Sequence, residues 1–375
     1  MPETGDRYTP QSLLVTGGAG FIGANFVHYW LQKYPLTRVT VIDALTCAGN
    51  KSSLGPVAGN PNFIFIHDNI LNQERIEQIL QQQDVDTIVH FAAESHVDRS
   101  IHDPDIFLQT NILGTHSLLK AARNIWLNKS PYKQHRFHHV STDEVYGSLT
   151  KEAPAFTEQA QYAPNSPYAA SKASSDFLVR AYHETYGLEV TTSNCSNNYG
   201  PYQFPEKLIP LMITHILNGQ SLPVYGDGQQ IRDWLHVDDH CRAVDLVIRN
   251  GRINETYHIG GDNQWTNIDI VELLCQLLDE AFAKDEGLSA RFPKPAQFNG
   301  DTANRLIKFV KDRAGHDLRY AMNIAKISKE LGYQPQQSFE NGIRKTLQWY
   351  LDNEAWWQAV MNGSYQNWLK TNYGN

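Results

Sequence analysis

The chain has 375 residues, a formal net charge of −8 and 41% hydrophobic residues. This is enough apolar material for a substantial core, and it excludes a disordered polyelectrolyte. The 32 basic residues form no run and are outnumbered by 40 acidic ones, which argues against a broad surface for nucleic acid or anionic membrane. The composition does not exclude a binding pocket for a small anion, because such a pocket needs only a few well-placed cations.

The cysteines and the amino terminus indicate the cellular compartment. Cys47, Cys195, Cys241 and Cys275 are far apart and form no CxxC pair, which fits a reducing compartment and argues against disulfides or a zinc site. Residues 1–10 lack the apolar core of a signal peptide, and no apolar run approaches the roughly 18 residues of a membrane span. We therefore expect a soluble, cytoplasmic protein.

Short β-branched runs alternate with helical periodicity through the first half of the chain. The runs predict strands over residues 13–16, 39–42, 63–66, 87–91, 137–141 and 189–193. The segments between them predict helices over residues 21–34, 73–83, 106–126 and 168–186. Apolar strands separated by helices are typical of a parallel sheet covered on both faces, so we predict a Rossmann-like, doubly wound α/β fold.

The second half of the chain has a different pattern. Prolines and glycines follow Asn198 closely, which predicts mainly loops up to about residue 234. Helices are predicted over 237–250 and 268–283, a charged loop region over 284–319, and a helical tail from residue 338. The tail carries four tryptophans that we interpret as packing residues rather than ligand stackers: Trp349, Trp356, Trp357 and Trp368. We expect a smaller, mostly C-terminal substrate-binding domain interleaved with the sheet.

A glycine motif lies between the first predicted strand and the first helix. Gly17, Gly20 and Gly23 lack a Cβ, which permits a tight turn, a close approach of the backbone to a pyrophosphate, and close helix–strand packing. The following helix offers free N–H groups and positive dipole charge to the phosphates. Asp43 ends the second strand, where an acid accepts hydrogen bonds from ribose hydroxyls and repels a 2′-phosphate. The pattern predicts NAD rather than NADP, whereas the alternative is a structural turn with a solvated aspartate.

Tyr168 and Lys172 form a second pattern, at the start of the helix that follows Pro167. Their spacing of four places both side chains on one helical face. Lowering a tyrosine pKa from about 10 to about 7 takes roughly 4 kcal/mol, which a nearby ammonium and a positive nicotinamide ring could supply. Tyr168 is then a base for a substrate hydroxyl that loses hydride. A YxxxK pattern alone is common on surfaces, and its weight comes from lying downstream of the NAD motif.

Thr142, Asp143 and Glu144 follow the predicted strand over 137–141. Open parallel sheets place their active sites at this end of the strands. Neighbouring carboxyl groups in a confined site repel, so one holds a proton while the other is ionised. The pattern favours acid–base catalysis over the alternative of a solvated loop.

Five segments carry a resemblance to a known family. They are GGAGFIG (17–23), FAAESHVDRSI (91–101), STDEVYG (141–147), YAASK (168–172) and NNYGPYQFPEKL (197–208). Together they resemble the dTDP-glucose 4,6-dehydratase family of the extended short-chain dehydrogenase/reductase superfamily, over nearly the whole chain to about residue 350. The acid pair is the most specific element, because the related 4-epimerases share the Tyr/Lys pair but usually lack it.

The resemblance implies a hydro-lyase of deoxysugar biosynthesis that converts dTDP-glucose to dTDP-4-keto-6-deoxyglucose. Tyr168 would take the proton of the 4-hydroxyl while NAD accepts the C4 hydride, with Thr142 and Lys172 assisting. Glu144 would then remove the C5 proton and Asp143 would protonate the departing 6-hydroxyl. The hydride would return to C6, so NAD would stay tightly bound and be regenerated in each cycle.

The resemblance also implies which residues bind the two ligands. For the cofactor these are Gly17, Gly20, Phe21, Ile22, Gly23, Asp43, Leu45, Thr46, Gly49, Asn69, Ile70, Ala92, Ala93, Ser95, Thr110, Tyr168 and Lys172, with Asn111 nearby. For the sugar nucleotide they are His96, Thr142, Asn198, Lys207, Leu208, Pro223, Tyr225, Arg232, Asn267, Arg313 and His316. Residues 1–198 would form the NAD-binding domain with the catalytic helix, and residues 199–375 mainly the sugar-nucleotide domain.

One position departs from the family pattern. Many members have an aspartate before the isoleucine that follows the third strand, where it bonds the adenine amino group, whereas this chain has Asn69 before Ile70. An asparagine carbonyl accepts the same bond, so we expect weaker but retained NAD binding. Whether the neighbouring Asp68 compensates stays open.

Several further expectations complete the interpretation. The helices over 106–126 and 168–186 commonly pair in this superfamily as a four-helix bundle, which predicts a homodimer. His138 and His139 should point to opposite faces of a strand, which with the isolated cysteines argues against a metal. The alternatives are another sugar-nucleotide 4,6-dehydratase or 4-epimerase of the same fold and, more remotely, a non-catalytic NAD-binding regulator.

Overall fold

The computed structural model describes residues 8–46, 48–130, 133–293 and 301–361. Its strands are β1 Ser12–Thr16, β2 Arg38–Asp43, β3 Phe63–His67, β4 Thr87–His90, β5 Arg136–Thr142, β6 Val190–Cys195, β7 Asn197–Tyr199, β8 Leu222–Tyr225, β9 Ile231–His236, β10 Thr256–Ile259, β11 Gln264–Thr266 and β12 Ile307–Val310. Seven of them form a parallel sheet in the order β10-β6-β5-β4-β1-β2-β3. The predicted doubly wound fold is confirmed, and every residue of the interior strands β1, β4 and β5 is buried because helices cover both faces of the sheet.

The helices are α1 Phe21–Lys33, α2 Gln73–Gln82, α3 Val97–His102, α4 Asp105–Phe107, α5 Thr115–Ala122, α6 Pro167–Tyr186, α7 Leu208–Leu217, α8 Val237–Asn250, α9 Asn267–Lys284, α10 Glu286–Arg291, α11 Ala325–Leu331, α12 Phe339–Asp352 and α13 Glu354–Val360. The π-helical segments Leu108–Gly114 and Arg123–Lys129 connect to α4 and α5, so residues 105–129 form one helical run. Short 3₁₀ turns occupy Lys51–Val57, Asp143–Tyr146 and Ala303–Leu306. No described helix is both long enough and apolar enough to span a bilayer.

Two regions expected to be loops contain regular structure. Residues 198–234 include α7, β8 and most of β7 and β9. Pro210 does not break α7 because it is the third residue of the helix, where a backbone N–H has no helical partner. The charged region over 284–319 contains α10 and the short strand β12, which pairs in parallel with β8.

The second half of the chain interlocks with the first. β10 extends the main sheet beside β6, and α8 packs against α1. The remaining strands form a three-stranded sheet, β11-β9-β7, and the pair β12-β8. Around them α7, α9 and α12 enclose a second apolar core.

The tail tryptophans are packing residues where the structure describes them. Trp357 is buried in the second core, and its Nε1 donates a hydrogen bond to the Tyr350 carbonyl at 2.9 Å. Trp349 and Trp356 pack on Tyr202, with ring centroids 4.7 and 5.6 Å apart. Trp368 lies outside the described residues.

Candidate active site

A continuous cavity opens at the carboxyl ends of β1, β4 and β5. This is the switch point of the sheet, because the strand order runs outward in both directions from the β1–β4 pair. Of the residues expected at the site it is lined by Gly17, Gly20, Phe21, Ile22, Gly23, Asp43, Thr46, Gly49, Asn69, Ile70, Ala92, Ala93, Ser95, Thr110, Thr142, Asp143, Glu144, Tyr168, Lys172, Asn198 and Lys207. The cavity thus brings the glycine motif and the Tyr/Lys and acid pairs together.

The glycine loop forms one end of this cavity. Gly17 has φ +68°, and a Cβ there would lie 2.6 Å from the Ala92 nitrogen. A Cβ on Gly23 would lie 2.2 Å from the Gly17 carbonyl oxygen. The Gly20 N–H donates to that same oxygen at 3.1 Å, and α1 starts at the next residue. The loop needs glycine at these positions, and it leaves the first N–H groups of α1 facing the cavity, as an anion site requires.

Asp43 is held rigidly at the adjacent wall. Its two oxygens accept hydrogen bonds from the backbone N–H groups of Ala19 at 2.9 Å and Leu45 at 2.8 Å. Burial raises the pKa of Asp43, and these two bonds oppose the rise. Each carboxylate oxygen can accept a further bond from a ribose hydroxyl. Leu45 does not line the cavity itself and acts through its backbone on Asp43.

Asn69 lines the cavity where the family pattern has aspartate. Its Oδ1 accepts the N–H of Leu71 at 2.9 Å, which leaves that oxygen a second lone pair. Asp68 does not line the cavity. Its carboxylate accepts the N–H of Asn69 at 2.7 Å and lies 3.8 Å from Arg75 Nε. The structure therefore places Asn69, and not Asp68, at the cavity wall.

The Tyr/Lys pair is placed by the start of α6. Ser166 caps this helix by accepting the N–H of Ala169 at 3.0 Å, and Pro167 occupies the first helical position. Tyr168 and Lys172 are buried, with 8% and 4% exposure, one turn apart. Lys172 Nζ donates to the Val140 carbonyl on β5 at 2.8 Å. This bond fixes the ammonium at the cavity wall.

The electrostatic surroundings of Tyr168 differ from the expectation. Burial, and then the charge of Glu144, raise the pKa of Tyr168 well above its ordinary value, while a hydrogen bond with Thr142 lowers it. Burial also lowers the pKa of Lys172, and the charge of Asp176 opposes that change. The protein's own groups thus favour a neutral phenol, although the sequence predicted that Lys172 would help to ionise it.

The acid pair occupies the 3₁₀ turn after β5. Thr142 starts the turn, with its Oγ1 accepting the N–H of Glu144 at 3.3 Å. Asp143 is only 2% exposed, and its Oδ2 has no hydrogen-bond partner among the described residues. Burial, and then the charge of Glu144, raise the pKa of Asp143 well above its ordinary value.

Glu144 has a different environment from its neighbour. Burial raises its pKa, but the charges of Arg313, Arg232 and Lys207 oppose that rise. The charge of Arg232 also opposes the rise in the pKa of Asp143, whereas the charge of Asp233 raises that pKa further. The pKa of Asp143 is thus raised well above its ordinary value, whereas three cations oppose the rise at Glu144, and an acid–base pair needs such a difference.

The remaining expected substrate residues lie outside the cavity lining, namely His96, Leu208, Pro223, Tyr225, Arg232, Asn267, Arg313 and His316. Pro223 and Tyr225 belong to β8, Arg232 to β9, and Leu208 and Asn267 begin α7 and α9. His316 Nδ1 lies 2.7 Å from Asp312 Oδ1. His96 caps α3, and burial lowers its pKa well below the ordinary value. The structure does not place these eight within the cavity, although Arg232 and Arg313 act on Glu144.

Several lining residues were missed by sequence reasoning. They are Ile42, Ala44, Ala48, Phe91, Glu94, Val140, Ser141, Cys195, Ser196, Asn197, Gln203, Phe204 and Glu206. Most adjoin a motif residue, so the motif itself was the available signal. Cys195 has no such signal, because it reaches the site through the pairing of β6 with β5, where it lies opposite Thr142.

Asn111 has a positioning role outside the lining. Its Oδ1 accepts the N–H of Glu94 at 2.9 Å, and its Nδ2 donates to Ser171 Oγ at 2.8 Å. It thereby ties the loop after β4 to the helix that carries Tyr168.

The neighbouring histidines of β5 have separate partners. His138 bonds with the hydroxyls of Thr191 and Ser193, whereas His139 Nε2 lies 3.1 Å from Asp176 Oδ1. Burial lowers the pKa of both well below the ordinary value. The described part of the chain holds no group of three or more His, Cys, Asp or Glu side chains arranged for a metal ion.

Comparison with known proteins places these features in a family. Residues 14–346 match the family model described as GDP-mannose 4,6 dehydratase. The dTDP-glucose 4,6-dehydratase of Neisseria meningitidis serogroup B is 52% identical over 95% of this chain and 98% of its own. The dTDP-glucose 4,6-dehydratase 1 of Escherichia coli K12 is 49% identical over 96% and 98% of the two chains.

Solved structures give the same result. The dTDP-glucose 4,6-dehydratase DesIV from Streptomyces venezuelae, solved with NAD bound, has a TM-score of 0.82 and 46% identity over 93% of this chain and 99% of its own. A UDP-glucose 4-epimerase from Thermotoga maritima has a TM-score of 0.76 but only 26% identity, over 92% and 99% of the two chains. The fold is common to both activities, whereas the higher identity is with the dehydratase.

Proposed function

We propose a reaction on the premise that the chain belongs to the dTDP-glucose 4,6-dehydratase family: it converts dTDP-glucose to dTDP-4-keto-6-deoxyglucose and water, with NAD as a recycled cofactor. The observation that carries this proposal is the buried Asp143 and the half-buried Glu144 in one cavity with Tyr168 and Lys172. A 4-epimerase needs only reversible oxidation at C4. An additional acid and base are needed when a proton leaves C5 and a hydroxyl leaves C6.

The cofactor site is supported by the shape of the glycine loop. Gly17, Gly20 and Gly23 would hold the pyrophosphate at the start of α1, and Asp43 would hold the adenosine ribose. The other residues that we propose to contact NAD are the cofactor-binding residues that the family resemblance implied. When bound, NAD supplies the acceptor and donor of the hydride that leaves C4 and returns to C6, and its positive ring supplies charge that favours the phenolate.

Tyr168 would take the proton of the sugar 4-hydroxyl. Burial keeps this phenol neutral in the protein alone, and the hydrogen bond with Thr142 stabilises its anion. Lys172 would hold the cofactor ribose and add positive charge one helical turn away, since it is fixed to Val140.

The acid pair would complete the elimination. Glu144, where neighbouring cations oppose the rise in pKa caused by burial, would remove the C5 proton, which a ketone at C4 makes acidic. Asp143, protonated because it is buried next to that charge, would give its proton to the departing 6-hydroxyl. Asp143 Oδ2 has no hydrogen-bond partner among the described residues, so a proton on this oxygen could be donated to the departing hydroxyl. The surroundings thus favour Asp143 as the acid and Glu144 as the base.

The sugar nucleotide would extend from the acid pair toward the second half of the chain. A diphosphate carries negative charge, and Lys207, Arg232 and Arg313 act electrostatically on Glu144 from that side. Asn198 would contact the sugar from the cavity wall, and the residues of β8 and the starts of α7 and α9 would hold the nucleoside.

We also propose a homodimer built on the two long helices. Leu113 in the helical run 105–129 is 53% exposed, and Phe177 on α6 is 60% exposed. Exposed apolar side chains on neighbouring helices suit a four-helix bundle with a second copy. Light scattering at micromolar protein should give twice the chain mass, and a monomer mass would contradict the proposal.

The domain division and cellular location remain proposals as well. Residues 1–198 would serve NAD and residues 199–375 mainly the sugar nucleotide, with β10 and α8 packed on the first part. A cytoplasmic location agrees with the buried free thiols of Cys195, Cys241 and Cys275.

The reaction is tested by incubating the protein with dTDP-glucose in deuterated water and measuring the mass of the product by mass spectrometry. Dehydration predicts loss of water together with one solvent deuterium at C5. An epimerase retains the mass of the substrate and exchanges nothing at C5. Unchanged substrate, with NAD bound, would support a non-catalytic NAD-binding protein instead.

A further inference from the structure

Helix α3 carries two charged side chains that meet the second half of the chain. Arg99 Nη2 lies 3.0 Å from Glu206 Oε2. Asp98 Oδ1 accepts a hydrogen bond from Arg313 Nη1 at 3.0 Å, and its Oδ2 accepts one from the Tyr225 hydroxyl, also at 3.0 Å. One carboxylate therefore holds an arginine and a tyrosine from two distant segments.

The Asp98 contacts are those of a buried group. Asp98 is 7% exposed, so water screens its charge little. Burial raises the pKa of Asp98, yet Arg313, then His96, and the hydrogen bond from Tyr225 hold it below the ordinary value. Asp98 is thus a carboxylate at neutral pH. If Arg313 or Tyr225 moved away, the buried carboxylate would lose a hydrogen-bond donor. Because this loss is costly, the three side chains hold one another in place.

Arg313 has donors that the protein does not use. Its bond to Asp98 occupies one of the five N–H groups of the guanidinium, and its buried Nε has no hydrogen-bond partner among the described residues. Its charge also acts on Glu144. Arg313 is therefore a cation near the acid pair, and its guanidinium still has N–H groups that can donate hydrogen bonds to a ligand.

Arg232 is a useful contrast on the same side. It donates to the carbonyl oxygens of Ile231 at 2.8 Å and Asp317 at 3.0 Å, and its guanidinium lies 4.3 Å from the centre of the Tyr320 ring. Arg232 thus bonds mainly within the protein. These contacts hold its positive charge in a fixed position.

We propose that Asp98 is a positioning residue that aims Arg313 at the diphosphate of the substrate, with the Tyr225 hydroxyl holding the second oxygen of Asp98 in place. The inference rests on the proposed function, because it takes a sugar nucleotide as the ligand. An arginine held in place before binding loses less freedom when the ligand arrives. The same segment continues back to Ser95, whose carbonyl accepts a hydrogen bond from Lys207 Nζ at 2.8 Å. Through α3 the diphosphate would be placed relative to the sugar pocket.

The test measures the dissociation constant of dTDP by calorimetry, and kcat and KM for dTDP-glucose, in the full-length protein. Asp98→Asn should raise the dissociation constant about tenfold, and KM should change more than kcat. Asp98→Glu, which keeps the charge, should recover part of the loss. Asp103→Asn is the matched control, because Asp103 is an exposed carboxylate at the end of the same helix and should leave all values unchanged.

A double-mutant cycle separates positioning from a general structural role. In an Arg313→Gln background, Asp98→Asn should weaken dTDP binding less than twofold, because the side chain that Asp98 positions is gone. A residue that merely stabilises the fold would add its full factor in both backgrounds. Melting temperatures of all variants report folding. If Asp98→Asn does not fold, the same cycle is run with Asp98→Glu, and additive effects there overturn the proposal.

The outcomes distinguish the two claims. If the wild type neither binds dTDP nor converts dTDP-glucose, the proposed function fails and this inference fails with it. If the wild type does both but Asp98→Asn binds dTDP equally well or more tightly, only the inference fails. Tighter binding is the result expected if Asp98 acts merely as a negative charge that repels the diphosphate.

Discussion

Replacing Gly23 by alanine tests the cofactor loop at its tightest point. Gly23 lies in the first turn of α1 and faces the loop that follows β1. A Cβ there would lie 2.2 Å from the Gly17 carbonyl oxygen and 2.8 Å from the Gly18 Cα. Both are backbone atoms, so rotating a side chain cannot relieve the overlap.

The size of the effect follows from these distances. A carbon and a carbonyl oxygen in contact stay about 3.3 Å apart, so the loop must retreat by about 1 Å. The same loop would present its N–H groups to the pyrophosphate, and a misplacement of about 1 Å in a positioning group costs on the order of 100-fold. We therefore expect the dissociation constant for NAD to rise about 100-fold, or about 2.7 kcal/mol.

The assay is calorimetric titration of NAD into protein stripped of dinucleotide, with the melting temperature as a check on folding. Gly59→Ala is the matched control, because a Cβ at Gly59 meets nothing within 4 Å. It should bind NAD like the wild type. If folded Gly23→Ala also bound NAD with wild-type affinity, the glycine loop would not be the pyrophosphate site, and the hydride chemistry would lose its structural basis.

Three further predictions concern the catalytic helix and the acid pair. Tyr168→Phe removes the proposed base and should slow formation of enzyme-bound NADH about 10²–10⁴-fold, measured by absorbance after adding dTDP-glucose; undiminished NADH would exclude that role. Glu144→Gln should still form NADH but slow C5 exchange with heavy water about 10²-fold, and wild-type exchange would contradict the assignment. Burial raises the pKa of Asp176 from 3.8 to about 6. The folded state then binds its proton more tightly, so as pH rises from about 2 to about 8, an interval that contains both pKa values, the wild type should lose about 3 kcal/mol of unfolding free energy relative to Asp176→Asn. Denaturant unfolding of both proteins across this range measures it, and a pH-independent difference would refute it.

The first half of the fold was predictable because its signals are local. The strand predicted over 137–141 is Arg136–Thr142 in the structure, and the helix predicted over 168–186 is Pro167–Tyr186. Buried parallel strands are short apolar runs, and a serine followed by proline marks the start of α6 clearly. The doubly wound arrangement follows from their alternation.

The second half was less predictable because its structure depends on distant pairing. Pro210 was interpreted as a breaker, although the first turn of a helix tolerates it. β12 has four residues and forms its pair with β8, more than 80 positions earlier in the chain. No local pattern distinguishes such a strand from a loop. The addition of β10 to the main sheet is likewise a tertiary event.

The site divides in the same way. Residues within a motif, such as Gly17 or Tyr168, could be found from spacing, since each motif is one local turn or helix. Cys195 lines the cavity because β6 lies beside β5, and Asp98 meets Arg313 because two distant segments pack together. Such neighbours become visible only in three dimensions.

The acid pair shows why those distant neighbours matter for the chemistry. Asp143 and Glu144 are adjacent, so the motif alone cannot decide which one keeps a proton. The 3₁₀ turn buries Asp143 and leaves its Oδ2 without a partner among the described residues, whereas Glu144 lies within reach of cations from the second half of the chain. Those cations would also attract the substrate diphosphate. A diphosphate bound beside these cations would offset part of their charge, and the pKa of Glu144 would then rise further, which would make its carboxylate a stronger base. Under the proposed function, substrate binding would thereby prepare the elimination step, and both halves of the chain would act on one proton transfer.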